Sequence, residues 1–195
     1  MPTFGDLDAL LGNVYGNMLF FESTGSASHA AFDTLVSNPF GLFGLFGLSD
    51  VGSQAAPTLA DLDNDGDLDA LIGNYAGQTL FFENTGSASS VAFAAAITNP
   101  FGLTNVSFYA SPTLADIDGD GDLDAFIGEY DGNIMFFENT GTATSPNFVA
   151  GMSNPFGLID VGDYSSPALA DLNADGALDL VIGEYHGGAW LFLQA

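Results

Sequence analysis

The chain has 195 residues, with 25 Asp and Glu, 2 His and no Lys, Arg or Cys, for a formal net charge of −25. Nucleic-acid binding and docking on an anionic membrane both rest on Lys and Arg, so both are excluded. The lack of Cys removes disulfides, thiolate metal sites and a Cys nucleophile.

A hydrophobic fraction of 47%, with 18 Phe, separates the chain from acidic disordered tails, and its length allows a real core. Folding then requires that carboxylate repulsion be relieved by solvent counterions or by bound divalent cations, since no side chain supplies positive charge. No basic region followed by an apolar core opens the chain, and no apolar run approaches the roughly 20 residues that span a bilayer. No membrane insertion is expected.

Taken from the N-terminus, the first unit runs over 1–56. Gly5-Asp6-Leu7-Asp8-Ala9-Leu10-Leu11-Gly12 matches Gly66 to Gly73 further on, followed by LFFESTG at 19–25 and NPFGL at 38–42. It lacks the first half of an acidic loop that later units carry, and it has six extra residues, so that FGL occurs three times between Phe40 and Leu48. Two whole units follow, at 57–111 and 112–166, and the last unit, 167–195, is incomplete. Pro57-Thr58-Leu59-Ala60-Asp61 returns as Pro112 to Asp116 and as Pro167 to Asp171, spaced by 55 residues each time. The 1–195 stretch is therefore read as a single repeat domain.

Short apolar stretches punctuated by Gly, Asn, Asp and Pro read as strands joined by turns. In the third unit the expected strands are 111–116, 123–130, 133–139 and a fourth around 147–152, with a tight turn at Asp131-Gly132. Four antiparallel strands per 55-residue unit predict an all-β fold, a β-propeller-type array of four-stranded antiparallel blades, with a β-sandwich array as the alternative. The adjacent Phe pairs 20/21, 81/82 and 136/137 should point to opposite faces and pack against both neighbouring blades.

The loop after each first strand carries oxygen donors at fixed positions. Asp61, Asp63, Asp65, Asp67 and Asp69 are matched by Asp116, Asp118, Asp120, Asp122 and Asp124, and by Asp171, Asn173, Asp175, Ala177 and Asp179. Calcium takes six to eight oxygen ligands, and side chains at positions 1, 3 and 5 of a loop that turns on a Gly at position 6 can face one centre. Position 7 contributes a backbone carbonyl, which accommodates Ala177. Position 12, where an EF-hand needs Glu, is Ile72, Ile127 or Ile182, so the acid at position 9 closes the loop instead. Three Ca²⁺ sites are expected.

Strand, DxDxDGxxD loop and LDxxIG strand together resemble the FG-GAP and VCBS repeats found in the propellers of integrin α chains and in large secreted bacterial proteins. The resemblance implies that the loop joins the first two strands of a blade, that the fifteen loop positions named above form the calcium sites, and that the protein is extracellular or at the cell surface. In the first unit only Asp6 and Asp8 remain of the pattern, so no fourth site is expected there.

Other chemistry is sparse. His29 and His186 lie in no nucleophile motif, and His186 sits at a turn position held by Ala76 and Asp131 in sister units. Glu83, Glu138, Glu129 and Glu184 would suit paired glycosidase carboxylates, but their recurrence fits hydrogen bonding at blade edges better. No enzyme is expected. Tyr75, Tyr130, Tyr185 and Trp190 could stack on sugars between blades, which keeps a calcium-dependent lectin with glycan partners as the alternative. The apolar 40–48 insertion either contacts another subunit or folds over the first unit. Both ends carry incomplete units, so the chain closes as a four-bladed ring, pairs end to end with other copies, or belongs to a longer array. The leading expectation is a calcium-stabilised structural or adhesive repeat module that associates with itself or with neighbouring repeats.

Overall fold

A computed structural model describes residues 8–21, 23–25, 29, 31–33, 36–37, 51–87 and 91–194. Asp6 and the 40–48 insertion lie outside them. The fold is all-β, with one short 3₁₀ turn at Pro100–Gly102 and four antiparallel sheets in chain order. The first contains β1 (Ala9–Gly12), β2 (Met18–Phe21) and β3 (Val36–Ser37). The second contains β4 (Ala56–Ala60), β5 (Asp69–Gly73), β6 (Thr79–Phe82) and β7 (Ile97–Thr98). The third repeats it with β8 (Ser111–Ala115), β9 (Asp124–Gly128), β10 (Ile134–Phe137) and β11 (Met152–Ser153). The fourth has β12 (Ser166–Ala170), β13 (Asp179–Gly183) and β14 (Ala189–Phe192).

Within each sheet the strands pair in sequence order, as hairpins dictate. Successive sheets meet along their early strands: β4 lies beside β1, β8 beside β4 and β5, and β12 beside β8 and β9.

A sheet held between two others must be apolar on both faces, and this is why β5 and β9, after their opening Asp69 and Asp124, run apolar to their ends. Ala70 and Ile72 point toward the first sheet and Leu71 toward the third, and all three are buried. The 81/82 and 136/137 Phe pairs divide as expected. Phe82 joins the core between the first and second sheets, and Phe81 and Phe137 join that between the second and third. Phe136 joins the core between the third and fourth. Each fully buried Phe contributes on the order of 2–3 kcal/mol.

The fourth strand sits later than the sequence indicates, at Met152–Ser153 rather than around 147–152. The NFV segment does a different job. Phe148 makes a single bridge to Asn139 and its amide bonds to the Phe101 carbonyl of the preceding unit at 2.8 Å, so its ring fills the slot between the second and third sheets. Phe93 fills the slot between the first and second. Between the third and fourth sheets lies a cavity of about 440 Å³, lined by Phe126, Phe136, Leu180 and Phe192 among others.

Glycine sets how closely sheets approach. A Cβ added at Gly12, Gly73 or Gly128 would overlap the carbonyl oxygen of Ala55, Ala110 or Ser165, the residue that leads into the next sheet's first strand. The same three residues donate their amides to Asn13, Asn74 and Glu129 at 3.0–3.1 Å. One residue earlier, Gln54, Tyr109 and Tyr164 adopt φ of 61°, 56° and 61°, a left-handed strain held by amide bonds to Val14, Tyr75 and Tyr130.

Gly183 occupies the same motif position in the last sheet, yet nothing lies within 4 Å of its added Cβ. Gly128→Ala should therefore cost about 2–3 kcal/mol or more, since the obstacle is backbone, whereas Gly183→Ala should be neutral or slightly stabilising. Urea unfolding of the two variants checks this; equal losses would show that the close approach is unimportant.

Candidate metal centre

Each acidic loop crosses from the first strand of a sheet to the second, over 61–69, 116–124 and 171–179, and its backbone is organised by its own carboxylates. Asp61 accepts the amides of Asp65 at 3.1 Å and Gly66 at 3.0 Å. Asp116 accepts those of Gly119 at 2.8 Å and Gly121 at 3.1 Å, and Asp171 accepts that of Gly176 at 3.1 Å. Position 5 caps position 7 in every loop: the amides of Asp67, Asp122 and Ala177 donate to Asp65, Asp120 and Asp175 at 2.9–3.1 Å. Gly66, Gly121 and Gly176 have φ of 92–96°, which makes glycine necessary at position 6.

This turn gathers Asp61, Asp63 and Asp65, and likewise Asp116, Asp118 and Asp120, so that one carboxylate oxygen from each lies within 4.8 Å of the others. Either triad could hold a metal ion. The third loop has Asn173 at position 3, whose amide nitrogen donates to Asp175 at 2.8 Å, and two carboxylates remain beside it. Its position 4 is Ala174 at φ 62°, where the second loop has Gly119, so the third loop is the more strained.

Asp122 supplies the test of fit. It is buried, its Oδ1 has no hydrogen-bond partner, and its carboxyl is pushed above the usual range by burial and then by Asp120, Asp118 and Asp116. A partnerless buried carboxylate oxygen beside three other loop aspartates could accept a cation, and the sequence has no Lys or Arg to provide one. The donor set fits a hard, oxygen-seeking divalent ion.

Position 9 has a further role that sequence reading missed. Asp69, Asp124 and Asp179 are almost wholly buried, and both oxygens of each accept amides. One bonds the second loop residue, Leu62, Ile117 or Leu172, at 3.0–3.4 Å. The other bonds Asn84, Asn139 or Gln194, fifteen residues on, at 2.8–3.1 Å. Asp8 makes the same bond to Ser23 at 2.7 Å in the first unit. The carboxylate thus clasps the loop to the end of the third strand, and the constant fifteen-residue interval was its visible signal. Asn84 and Asn139 extend the clasp, each accepting two amides of the following turn.

The remaining expected sites are dispersed. Ile72, Ile127 and Ile182 are buried in their strands. Glu83 and Glu138 are exposed, while Glu129 is buried and accepts the Asn133 side-chain amide at 2.6 Å. Tyr75, Tyr130 and Tyr185 do not stand free for sugar stacking alone. They join Tyr109 and Tyr164 in a ladder of rings with centroids 4.4–5.8 Å apart. The hydrogen bond between Tyr109 and Tyr164 pushes the Tyr164 phenol up to about 12.

A sequence profile of the FG-GAP-like repeat matches residues 61–127 and again 116–182, each match starting at a loop's first aspartate and ending in the second strand of the following unit. The two matches together span more than half of the chain. The chain belongs to the FG-GAP-like repeat family. No curated protein matches it. FG-GAP repeats often bind calcium and are typical of extracellular domains, which accords with the Asp triads. Among the described residues no helix is long and apolar enough to cross a membrane.

Burial raises the Asp69 and Asp124 carboxyls from 3.8 to about 6, outweighing the two amide bonds that each accepts; neighbouring loop aspartates add to the rise. A raised folded-state value means that the native state holds protons more tightly than the unfolded chain. Without metal, stability should therefore be highest below about pH 4 for these groups and fall as pH rises through 6, by on the order of 1–2 kcal/mol per carboxyl after screening. In EDTA the thermal midpoint should be higher at pH 5 than at pH 7, and calcium, which favours the ionised form, should reverse that order. A metal-free protein that melts higher at pH 7 would contradict the assignment.

Proposed function

We propose that this FG-GAP-like chain is a non-enzymatic, calcium-stabilised repeat module of an extracellular structural or adhesive protein, whose sheets act as blades of a propeller-type array and which assembles end to end. The observation that carries the reading is the unpartnered, buried Asp122 oxygen beside the Asp116–Asp118–Asp120 cluster in a chain without any cationic side chain.

Calcium would be held at three sites: by Asp61, Asp63, Asp65, the Asp67 position and Asp69; by Asp116, Asp118, Asp120, Asp122 and Asp124; and by Asp171, Asn173, Asp175, the Ala177 carbonyl and Asp179. Three divalent ions would offset six of the 25 negative charges and let the loops hold their turns without mutual repulsion. Millimolar extracellular calcium suits such open, partly exposed loops.

Isothermal titration should find three calcium ions per chain, the third loop binding most weakly because it offers fewer carboxylates. Each site filled to a hundred times its Kd adds about 2.7 kcal/mol to stability. Asp118→Asn should weaken the second site alone, toward the affinity of the third loop with its Asn173, leaving the other two unchanged; heats of binding absent from the native protein, and melting indifferent to EDTA, would defeat the proposal.

Carbohydrate binding is the second reading, supported by the exposure of Tyr185 and Trp190 on the last sheet. A glycan array with calcium tests it: selective binding that is lost in Trp190→Ala would favour a lectin, and a blank array would leave the structural module.

A further inference from the structure

Five of the six tyrosines of the chain stand in one line of touching rings. Tyr75, Tyr130 and Tyr185 come from the turns between the second and third strands of their sheets, and Tyr109 and Tyr164 from the segments that lead into the third and fourth sheets. The backbone fixes the lead-in pair. Tyr109 and Tyr164 hold left-handed φ of 56° and 61°, and their amides donate to the carbonyls of Tyr75 and Tyr130 at 3.1 Å and 3.0 Å. Two rings from consecutive repeat units are thereby set side by side, with centroids 4.4 Å apart and planes at 71°.

Within this ladder the Tyr109–Tyr164 pair has the shortest separation, and its two hydroxyls are hydrogen-bonded to each other. A bond between phenol oxygens draws together the ring carbons ortho to them. Tyr109 and Tyr130, by contrast, stack at 25° and 5.8 Å, face toward face. Solvent reaches the ladder at Tyr75 and Tyr130, which are 45% and 37% exposed, while Tyr109 and Tyr164 are half-buried.

Composition narrows the covalent chemistry open to the chain. A disulfide needs Cys, and isopeptide or aldehyde-derived cross-links need Lys; the sequence has neither. The same lack of thiols leaves no Cys to intercept an oxidant, and Trp190 is the only Trp. Tyrosine is the side chain that remains for oxidative cross-linking, and the ladder is where the tyrosines are gathered.

We propose that Tyr109 and Tyr164 form an oxidative cross-linking site, at which a one-electron oxidant joins the two rings as dityrosine. Each phenol gives one electron to the oxidant and one proton to water, which leaves two phenoxyl radicals. These pair through one ortho carbon of each ring to form a carbon–carbon bond. The hydrogen on each joined carbon then moves to the oxygen of its own ring and restores both phenols, so that two electrons and two protons leave in all. An oxidant that first takes its electron from exposed Tyr75 or Tyr130 still reaches the pair, because each of those rings touches it and is refilled by it. Rings held in contact beforehand couple within one chain in preference to meeting another chain. The product is a covalent staple between the lead-in segments of the third and fourth sheets. It requires no metal and stands apart from the calcium reading.

Photo-oxidation of the full chain in millimolar calcium tests the site, with a ruthenium tris-bipyridine complex as the one-electron oxidant. Persulfate is the terminal acceptor, taking two electrons as it splits into two sulfates. Trypsin finds no Lys or Arg, but cleavage after Asp and Glu places each ladder tyrosine on a different peptide. Mass spectrometry should find one dominant linked pair, the peptides of Tyr109 and Tyr164, lighter by two hydrogens than their sum and carrying dityrosine fluorescence. Its yield should not change with protein concentration, and should fall by about tenfold or more when the chain is unfolded in urea, where proximity is lost. Tyr109→Phe and Tyr164→Phe should each abolish this link while keeping the ring packing, and Tyr15→Phe, outside the ladder, should leave it unchanged. Circular dichroism establishes that the variants are folded. A native chain that forms no dityrosine overturns the proposal. So does a product in which other tyrosine pairs or links between chains predominate, an equal yield in urea, or total dityrosine unchanged in both ladder variants.

Discussion

The governing constraint is electrostatic: 25 acids must be held on a folded chain that has no Lys or Arg to answer them. Ordinary proteins disperse their carboxylates among cations. Here thirteen of the 25 sit in three short loops, so repulsion is concentrated rather than spread. Concentration has a structural use. The carboxylates that repel one another also accept the loop's own amides, so they fix the turn that brings them together, and a divalent ion bound there would relieve repulsion where it is greatest.

The loop is coupled to the core through its second residue. Leu62 donates its amide to Asp69 and buries its side chain at the junction with the third sheet, so the acid at position 9, the loop backbone and the inter-sheet packing move as one unit. Asp69 also accepts the amide of Asn84, two residues past the end of the third strand, which ties the outer half of the sheet to the same point. In the fourth sheet Leu172 keeps the amide bond while its side chain is exposed, and its loop carries Asn173, Ala174 and Ala177 where the first loop has Asp63, Asn64 and Asp67.

Much of this was legible in the sequence. The 55-residue period, the strand spacing, the division of the 81/82 and 136/137 Phe pairs between two faces and the gathering of loop positions 1, 3 and 5 in the first two loops follow from local periodicity and turn chemistry, which act over a few residues. What could not be read depends on main-chain partners outside the local segment, in a neighbouring unit or farther along the same one. The NFV segment looks like a strand, but its Phe148 is drawn into the slot of the preceding unit, and pairing is postponed to Met152. Gly73 looks like a strand residue chosen for flexibility, and only the Ala110 carbonyl lying against it explains why no side chain fits. Asp69 looks like one more loop ligand until Asn84, distant in sequence, is seen to bond it. In each case the decisive partner is a main-chain group, which carries no side-chain signature.

Repeats that bury their faces against one another have stabilities governed by nearest-neighbour interfaces. Leu11, Phe32, Leu172 and Leu191 keep the apolar character of interior positions while lying open to water. Apolar exposure favours contact between copies and uniform negative charge opposes it, and the two act over different ranges. The charge is screened over about 10 Å at moderate salt and reduced by any bound divalent ion, whereas the apolar attraction acts only at contact. Cation concentration therefore shifts the balance between these two opposing terms, and a divalent ion held in the acidic loops would shift it where the negative charge is densest.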